Sequence, residues 1–170
     1  FEIQFSKNKE PGKHGQDEVC FYISTNTGQP LKPLQDTVSG GELSRIMLAV
    51  KAVMADRDDT GTLIFDEIDT GISGRTAQKV SEKLAVIARN HQVICITHLA
   101  QIAAQADQHY LIEKTVDGGV TRTEIRKLSE EESIDELARI LGGAEITETV
   151  RMSAREMKSM VKSNTVKNKK

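Results

Sequence analysis

Tryptophan is absent from this sequence of 170 residues, and aromatic residues make up only 4% of it. Aliphatic side chains must therefore fill most of any core. With 38% hydrophobic and 28% charged residues, the composition is typical of a soluble α/β protein and excludes a fibrous or disordered chain. A chain of this length buries one full core, so we predict a single domain, residues 1–161, followed by a flexible basic tail, residues 162–170.

Long apolar runs and a strong excess of either charge are also lacking. No run reaches the roughly 20 residues that a membrane helix needs, and residues 1–5 (Phe-Glu-Ile-Gln-Phe) do not resemble a signal peptide. The net charge of −2 excludes a surface that binds nucleic acid throughout, so any contact with DNA must be local. The lysines of the basic tail offer such a contact, but a solvated terminus is the favoured interpretation of that segment.

Cysteine is scarce, since only Cys20 and Cys95 are present. Both lie in apolar, strand-like runs, and neither has another Cys or a His at the spacing of metal ligands. We therefore predict that both thiols pack in the core, in a protein of the reducing cytoplasm.

Two motifs of catalytic sites are missing. The phosphate-binding P-loop, G-x-x-x-x-G-K-[ST], occurs nowhere: Lys13 follows Gly12, but residue 14 is His and the residue five before Gly12 is Lys7. The nucleophile elbow G-x-S-x-G is absent as well, which excludes a hydrolase of the Ser-His-Asp type. A nucleotide site that uses this chain must therefore take its P-loop from elsewhere.

A glycine pair inside a capping sequence is the first positive signal. Ser39 followed three residues later by Glu42 has the spacing of a capping box, so a helix is predicted to begin at Ser39. Residues 43–55 continue it and are apolar nearly all round, which indicates burial on most sides. Gly40 and Gly41 lack a Cβ, so an anion can approach the free N–H groups at the positive end of the helix dipole. An ordinary cap with nothing bound is the alternative.

A strand–helix–strand unit is predicted next. Residues 62–65 (Thr-Leu-Ile-Phe) form a short apolar run of the kind found in parallel strands covered on both faces. Residues 76–90 have helical apolar spacing, and residues 92–97 (Gln-Val-Ile-Cys-Ile-Thr) read as a second buried strand. This order predicts a βαβ unit with a right-handed crossover.

Polar side chains follow both strands of that unit. Asp66 and Glu67 come directly after the first strand and His98 after the second, so all three are predicted at the carboxyl edge of the sheet, where α/β proteins bind ligands. Adjacent carboxylates there can divide the work of nucleotide hydrolysis, Asp66 holding Mg²⁺ through water and Glu67 deprotonating the attacking water. The imidazole of His98 can donate to a γ-phosphate. A charged turn and a capping histidine are the structural alternatives.

Antiparallel strands are predicted at the start of the chain and a hairpin after His98. A second capping box, Ser129 with Glu132, begins a helix that ends at a glycine pair, and one more amphipathic helix follows. The predicted strands are residues 1–5, 18–24, 109–114 and 120–127, with a loop over residues 6–17, an extended connection over residues 26–37 and a short helix over residues 102–107.

Four segments in this order resemble motifs of ABC-type ATPases. Residues 39–42 resemble the signature, residues 63–67 a Walker B strand, residues 69–74 a D-loop, and residues 97–98 the switch histidine. In their extended form, the segments resemble the RecN family, bacterial SMC-like ATPases of DNA double-strand-break repair.

The resemblance implies an α/β fold: the carboxyl-terminal lobe of an ABC-type ATPase head. Its mostly parallel sheet would be flanked by helices, with antiparallel strands at the start and a hairpin after the switch-histidine segment. The implied partners are an amino-terminal P-loop lobe and a coiled coil of the same protein, a second head in an ATP-bridged homodimer, and DNA through the full protein. No membrane partner is implied.

The resemblance also implies ATP and Mg²⁺ as cofactors, with ATP sandwiched between two heads. The signature of one head would face the γ-phosphate held by the other, and the D-loop would report across the interface. The implied catalytic residues are Glu67 and His98, the metal ligand is Asp66, and the nucleotide-binding residues are Ser39, Gly40, Gly41, Glu42 and Asp69.

Two other functions are weighed. A nucleotide-binding subunit of an ABC transporter carries related motifs, but a helical segment precedes its signature, whereas strands and a Pro-containing connection precede residues 39–42 here. A non-catalytic dimerisation module is the second alternative, and it describes the behaviour expected of this chain alone, because the chain has no P-loop.

Overall fold

A computed structural model of the chain describes residues 1–24, 28–37, 39–55, 57, 59–143 and 145–167, without the side chains of residues 37, 117 and 162–167. Seven strands and six helices occur within these ranges. The strands are β1 (Glu2–Gly12), β2 (Gly15–Ile23), β3 (Lys32–Pro33), β4 (Thr62–Phe65), β5 (Gln92–Cys95), β6 (Tyr110–Asp117) and β7 (Val120–Lys127). The helices are α1 (Leu34–Thr37), α2 (Gly40–Met54), α3 (Gly74–Ile87), α4 (Ala100–Ala103), α5 (Glu130–Gly142) and α6 (Glu148–Lys167).

The predicted mixed α/β class is confirmed, but parallel pairing is limited to one pair of strands. Strands β4 and β5 are parallel, with Thr62 opposite Gln92 and Phe65 opposite Cys95. The other two described sheets, β1-β2-β3 and β6-β7, are antiparallel. The expectation of a mostly parallel sheet is therefore wrong for the described residues, because this chain contributes only two strands that a helical crossover connects.

The first hairpin is longer than predicted. Strands β1 and β2 extend through most of the segment expected to be a loop, and they turn at Lys13 and His14 before Gly15, whose φ is 99°. The register shifts between Lys7 and Gly12, which accommodates Pro11 in a strand. The polar composition of residues 6–17 reflects exposure of the hairpin rather than irregular backbone. Strand β3 and helix α1 were not predicted in the connection that follows.

One core packs helices α2, α3 and α4 against a single face of β4 and β5. Leu63 and Phe65 point into it, with Leu48 from α2 and Leu84 from α3. Ile64 on the opposite face is 68% exposed. The prediction of a strand covered on both faces is therefore wrong within the described residues, since only one layer of helices packs on this sheet.

Helix α2 is also less buried than its apolar composition indicated. Gly41 and Leu48 are its buried residues, whereas Leu43, Val50 and Val53 are exposed. The helix packs along one stripe, and no described element covers the rest of its surface.

A second core joins α4, α5 and α6. It includes Ala103, Ile134, Leu137 and Ala154, the last two fully buried. Helix α6 continues through Lys167, past residue 162 where a flexible tail was predicted, because no Gly or Pro interrupts its backbone hydrogen bonds. Residues 168–170 and the lysine side chains of the tail lie outside the described part, as do Val38 and two residues of the predicted turn 56–61.

None of the helices within the described ranges combines the length and apolar character required to cross a bilayer.

Candidate functional site

The predicted capping box at the start of α2 is confirmed. Ser39 Oγ accepts a hydrogen bond from the Glu42 N–H at 3.3 Å, and Glu42 Oε2 accepts from the Ser39 N–H at 3.0 Å. Two of the backbone N–H groups that a helix start leaves without partners are satisfied in this way. Gly40 and Gly41 are the first two helical residues, and they have no side chains that could cover the backbone at the helix start.

Two side chains of α2 bind the loop that follows β4. Ser44 Oγ donates to the Asp66 carbonyl oxygen at 2.9 Å. Arg45 Nη1 donates to the carbonyl oxygens of Ile68 at 3.1 Å and Thr70 at 2.9 Å. A single guanidinium nitrogen therefore holds the loop from both sides of residue 69.

The start of α2 touches the same loop. A Cβ added at Gly41 would lie 2.8 Å from the Glu67 carbonyl oxygen and 3.0 Å from Thr70 Cβ, and a Cβ at Gly40 would overlap the Glu67 carboxylate. The glycine pair and the Asp66–Glu67 pair therefore lie against each other within this chain. The hydrogen bonds from Ser44 and Arg45, 22 to 25 residues from their acceptors, bring them together.

Asp66 and Glu67 are exposed at the carboxyl end of β4, as predicted. Asp66 Oδ1 accepts from the Glu67 N–H at 2.8 Å. Glu67 has φ of 56° and is the only non-glycine residue with positive φ among those described. Such backbone strain costs on the order of 1 kcal/mol and is concentrated at functional sites. The Glu67 carboxylate of this strained turn lies against Gly40 at the start of α2.

Asp69 is buried and faces the end of β5. Its Oδ2 accepts from Thr97 Oγ1 at 2.6 Å and from the His98 N–H at 2.8 Å, and it lies 3.0 Å from His98 Nδ1. The side chain of Asp69 is 3% exposed, whereas that of His98 is 73% exposed. The Asp69 carboxylate is thus engaged inside its own chain, and the implied position of Asp69 at an interface with a second head stays a prediction.

A full protein cage for a metal ion is absent from the described residues, because no group of three or more His, Cys, Asp or Glu side chains converges. Mg²⁺ keeps several waters and commonly takes only one or two carboxylates together with phosphate oxygens. Asp66 offers an exposed carboxylate oxygen that no described hydrogen bond occupies. The donor set fits a mostly hydrated Mg²⁺.

The prediction that both thiols pack in the core is confirmed for Cys95 only, because Cys20 lies partly exposed in β2 and belongs to neither of the two described cores. Cys95 packs on the core of α2 and α3, and burial raises the pKa of its thiol to about 12, with Asp69 and Asp66 adding to the shift. His91 is buried, with Nδ1 2.6 Å from the Thr60 carbonyl oxygen. His109 Nδ1 lies 2.9 Å from the buried Ser133 Oγ. Cys95 ends β5 beside Asp66 and Asp69, whereas His91 precedes β5 and His109 contacts α5, so neither imidazole lies at the carboxyl edge.

The roles of Ser44, Arg45 and Thr97 were not predicted. A signal was present for the first two, because Gly41, Ser44, Arg45 and Leu48 share the i, i+3, i+4, i+7 spacing of one helix face. Small and polar residues within a buried stripe indicate contact with backbone. Thr97 had no comparable pattern.

No protein-family model matches the chain. The DNA repair protein RecN of Halalkalibacterium halodurans is 47% identical over 161 residues, which cover 92% of this chain and 28% of that protein. RecN of Bacillus subtilis is 47% identical over 145 residues, 85% of this chain and 25% of that protein. RecN of Deinococcus radiodurans is 46% identical over 142 residues, 84% of this chain and 25% of that protein. The chain spans about a quarter of the length of these relatives.

One solved structure, from work on ATP-driven dimerization and DNA-stimulated activation of SMC ATPases, aligns with a TM-score of 0.47 and 20% sequence identity. The alignment covers 82% of this chain and 81% of the other. The sequence identities are the stronger result. Over most of its length, this chain is homologous to DNA repair proteins named RecN and fits a carboxyl-terminal lobe of such a protein.

Proposed function

We propose that this chain is the carboxyl-terminal lobe of the ATPase head of a RecN-like protein of DNA double-strand-break repair. In this proposal, the lobe hydrolyses ATP only together with a P-loop lobe of the same protein and a second head. The observation that carries the proposal is the placement of Asp66 and Glu67 after β4 and of His98 after β5, at the carboxyl ends of two parallel strands, beside a capped helix that begins with two glycines. The names of the relatives support DNA repair rather than transport.

Each polar group at this edge has a role in hydrolysis. Glu67 accepts the proton of the attacking water, since a carboxylate fixed by backbone at a strand end is a suitable general base. His98 donates to the γ-phosphate, because its ring is exposed while its Nδ1 is held by Asp69. Asp66 holds Mg²⁺ through water. When bound, Mg²⁺ would neutralise charge on the phosphate oxygens.

The start of α2 is assigned to the nucleotide of the second head. Ser39, Gly40 and Gly41 form the positive end of the helix dipole, and the glycines have no side chains of their own that would exclude a phosphate. Ser39 and Gly40 are exposed, whereas Gly41 is buried against the loop that carries Glu67. The chain contains no P-loop, so the β- and γ-phosphates that these groups approach are held by another lobe. Glu42 acts through the capping box that orders the helix start.

Exposed apolar surface supports the proposal that a second lobe packs against this chain. Ile64, Ile94 and Ile96 are exposed on the free face of β4 and β5. A groove of about 290 Å³ runs between α2 and β4, lined by Leu43, Ser44, Met47, Lys51, Leu63, Ile64 and Phe65. Contiguous apolar surface of this kind marks an interface. We assign it to the amino-terminal P-loop lobe, which the remaining three quarters of the relatives' length can supply.

Glu67→Gln in the complete protein is the decisive test. We expect ATP binding to be retained and turnover to fall by about 100-fold or more, because an amide cannot accept the proton of water. Glu156→Gln, at an exposed position of α6, is the matched control and should leave turnover unchanged. Near-normal hydrolysis by the Glu67 variant would exclude its role as general base.

A second experiment tests whether the chain is half of a site. Hydrolysis is measured with this chain alone and with the P-loop lobe added. Turnover should require both. Hydrolysis by the chain alone would contradict the proposal, and no hydrolysis by the mixture, with ATP-dependent association retained, would favour a non-catalytic dimerisation module.

A further inference from the structure

The end of the first hairpin carries a charge opposite to that of the whole chain. Residues 7–16, the basic tip, contain three lysines and one acidic residue, whereas the chain has a net charge of −2. The lysines are Lys7 and Lys9 in β1 and Lys13 in the turn, and the acidic residue is Glu10. Positive charge is therefore concentrated in one place, as a local contact with nucleic acid requires in an acidic chain.

The basic tip is open to solvent. Every residue from 1 to 19 is exposed. Within the described part of the chain, the side chains of the three lysines take part in no ion pair and no hydrogen bond. The acidic residues of β2, Asp17 and Glu18, follow the tip toward the base of the hairpin. The three ammonium groups are thus available to an anion from outside the chain.

Backbone contacts hold the basic tip in an ordered shape. Gly12 pairs with Gly15 across the turn, and Gln16 Nε2 donates to the Asn8 carbonyl oxygen at 2.9 Å. The φ of Gly15, 99°, is one that residues with a Cβ rarely adopt, and it closes the two-residue turn between the strands. Since the backbone is already ordered, binding a ligand here costs the conformational entropy of the lysine side chains alone.

The residue types of the basic tip favour the backbone of duplex DNA over unpaired bases. Lysine ammonium groups donate to phosphate oxygens. The tip contains no Phe, Tyr or Trp, so it lacks a platform on which unpaired bases could stack. Aromatic rings of this hairpin lie at its base, where those of Phe1 and Phe21 stack with centroids 5.9 Å apart. A two-stranded ribbon also fits the major groove of B-DNA, which is about 12 Å wide.

We propose that the basic tip contacts the phosphate backbone of double-stranded DNA through Lys7, Lys9 and Lys13. The proposal rests on the proposed function, in which the complete protein acts on DNA, and it names a surface of this chain that touches the duplex. The contact does not depend on base sequence, because contacts between lysine and phosphate carry no sequence information.

Replacing the three lysines together, Lys7→Gln, Lys9→Gln and Lys13→Gln, tests the contact in the complete protein. Fluorescence anisotropy measures the binding of a duplex of about 30 base pairs over a series of salt concentrations. Each lysine that neutralises a phosphate releases a counterion, so the slope of log K against log salt concentration should become shallower by about 3. At about 0.1 M salt the affinity should fall by at least about tenfold, equally for two duplexes of unrelated sequence.

A matched control removes the same charge elsewhere. Lys83→Gln, Arg89→Gln and Lys114→Gln together alter three exposed positions outside the first hairpin. This variant should keep the salt slope of the unaltered protein. An equal change of slope in the control would overturn the proposal, since the total charge of the protein, and not the basic tip, would then attract DNA.

Glu10→Gln tests the same electrostatic argument in the opposite direction. It removes the negative charge from the basic tip, so binding of the duplex should tighten by about two- to threefold. Weaker binding by this variant would contradict an electrostatic contact at the tip.

Other roles of the lysines give different results. Lysines on an exposed edge strand can prevent strands of two molecules from pairing. Aggregation of the triple-lysine variant in sedimentation, with unchanged affinity and slope for the duplex, would replace the proposal by that role. Weaker binding of a single strand of the same length, with unchanged duplex binding, would overturn it as well.

Glu67→Gln in the same protein separates this proposal from the proposed function. If Glu67→Gln abolishes ATP turnover while the triple-lysine variant binds the duplex as the unaltered protein does, the contact at the basic tip is wrong and the proposed function stands.

Discussion

Helices α2 and α5 each begin at a serine that is followed three residues later by a glutamate, and the same capping box forms at both. The glutamate N–H lies 3.3 Å from the serine Oγ in each case, Glu42 with Ser39 and Glu132 with Ser129. The reverse bonds, from the serine N–H to the glutamate carboxylate, measure 3.0 Å in α2 and 2.8 Å in α5. By local geometry, the two helix starts are equivalent.

The residues inside the box differ. Helix α5 has Glu130 and Glu131 there, and its acidic first turn is paired with basic side chains of the same chain. Glu131 Oε2 lies 3.1 Å from Arg155 Nη2, and Glu132 Oε1 lies 2.7 Å from Arg126 Nη1. The positive end of this helix dipole is therefore neutralised by the protein itself.

Helix α2 has glycines at the same two places, and its one acidic residue in the first turn, Glu42, is used in the box. What lies against the glycines is the loop that carries Glu67. A capping box thus specifies where a helix begins, whereas the two residues inside it decide what lies against the helix start: acidic side chains with their basic partners in α5, and the loop that carries Glu67 in α2.

The largest expected difference between the two helix starts comes from the second residue inside the box. Gly41→Val places a branched side chain against the Glu67 carbonyl oxygen and Thr70, so unfolding should be easier by about 1–3 kcal/mol and ATP turnover should be lost. Glu131→Val, at the equivalent exposed position of α5, should cost less than about 1 kcal/mol and leave turnover intact. Denaturant unfolding and ATPase assays of the complete protein measure the stability and the turnover of both variants. Equal losses of unfolding free energy would contradict the expected difference between the two helix starts.

A smaller effect is expected from the caps themselves. Ser39→Ala and Ser129→Ala each remove the same hydrogen bond and should each destabilise the protein by about 1 kcal/mol. Only Ser39→Ala should also weaken ATP-dependent association of heads, measured by sedimentation with and without ATP. If heads with either substitution associate equally well in the presence of ATP, the start of α2 has no special role in that association.

The smallest effect is confined to acid pH. Hydrogen bonds from the backbone and side chain of Ser129, and then from Arg126, lower the pKa of Glu132 from its usual 4.5 to about 2. A carboxyl whose pKa is lower in the folded protein stabilises it above the unfolded pKa, and this stabilisation is lost as the pH falls from about 4.5 toward 2. Glu132→Gln should flatten that part of the stability curve, measured by thermal unfolding at pH 3 to 6. An unchanged slope would show that other carboxylates dominate it.

The elements predicted best are those that short-range patterns specify. Both capping boxes form at Ser39 and Ser129, and the strands around α3 pair in parallel as predicted. These features depend on residues three or four apart, or on runs of four to fifteen residues, so the physical cause is local. The exposure of Ile64 and Val53 could not be predicted. The sequence around an apolar residue is the same whether or not another lobe of the protein covers its side chain.

The same distinction between local patterns and tertiary contacts applies to the candidate site. The sequence by itself determined that Asp66, Glu67 and His98 follow two parallel strands and that a capped helix begins with Gly40, because alternation and capping depend on neighbouring residues. Only the tertiary structure decided that Asp69 faces His98 and that the helix lies against Glu67. Those contacts join groups 22 to 29 residues apart, where burial and shape, which no local pattern encodes, select the partner.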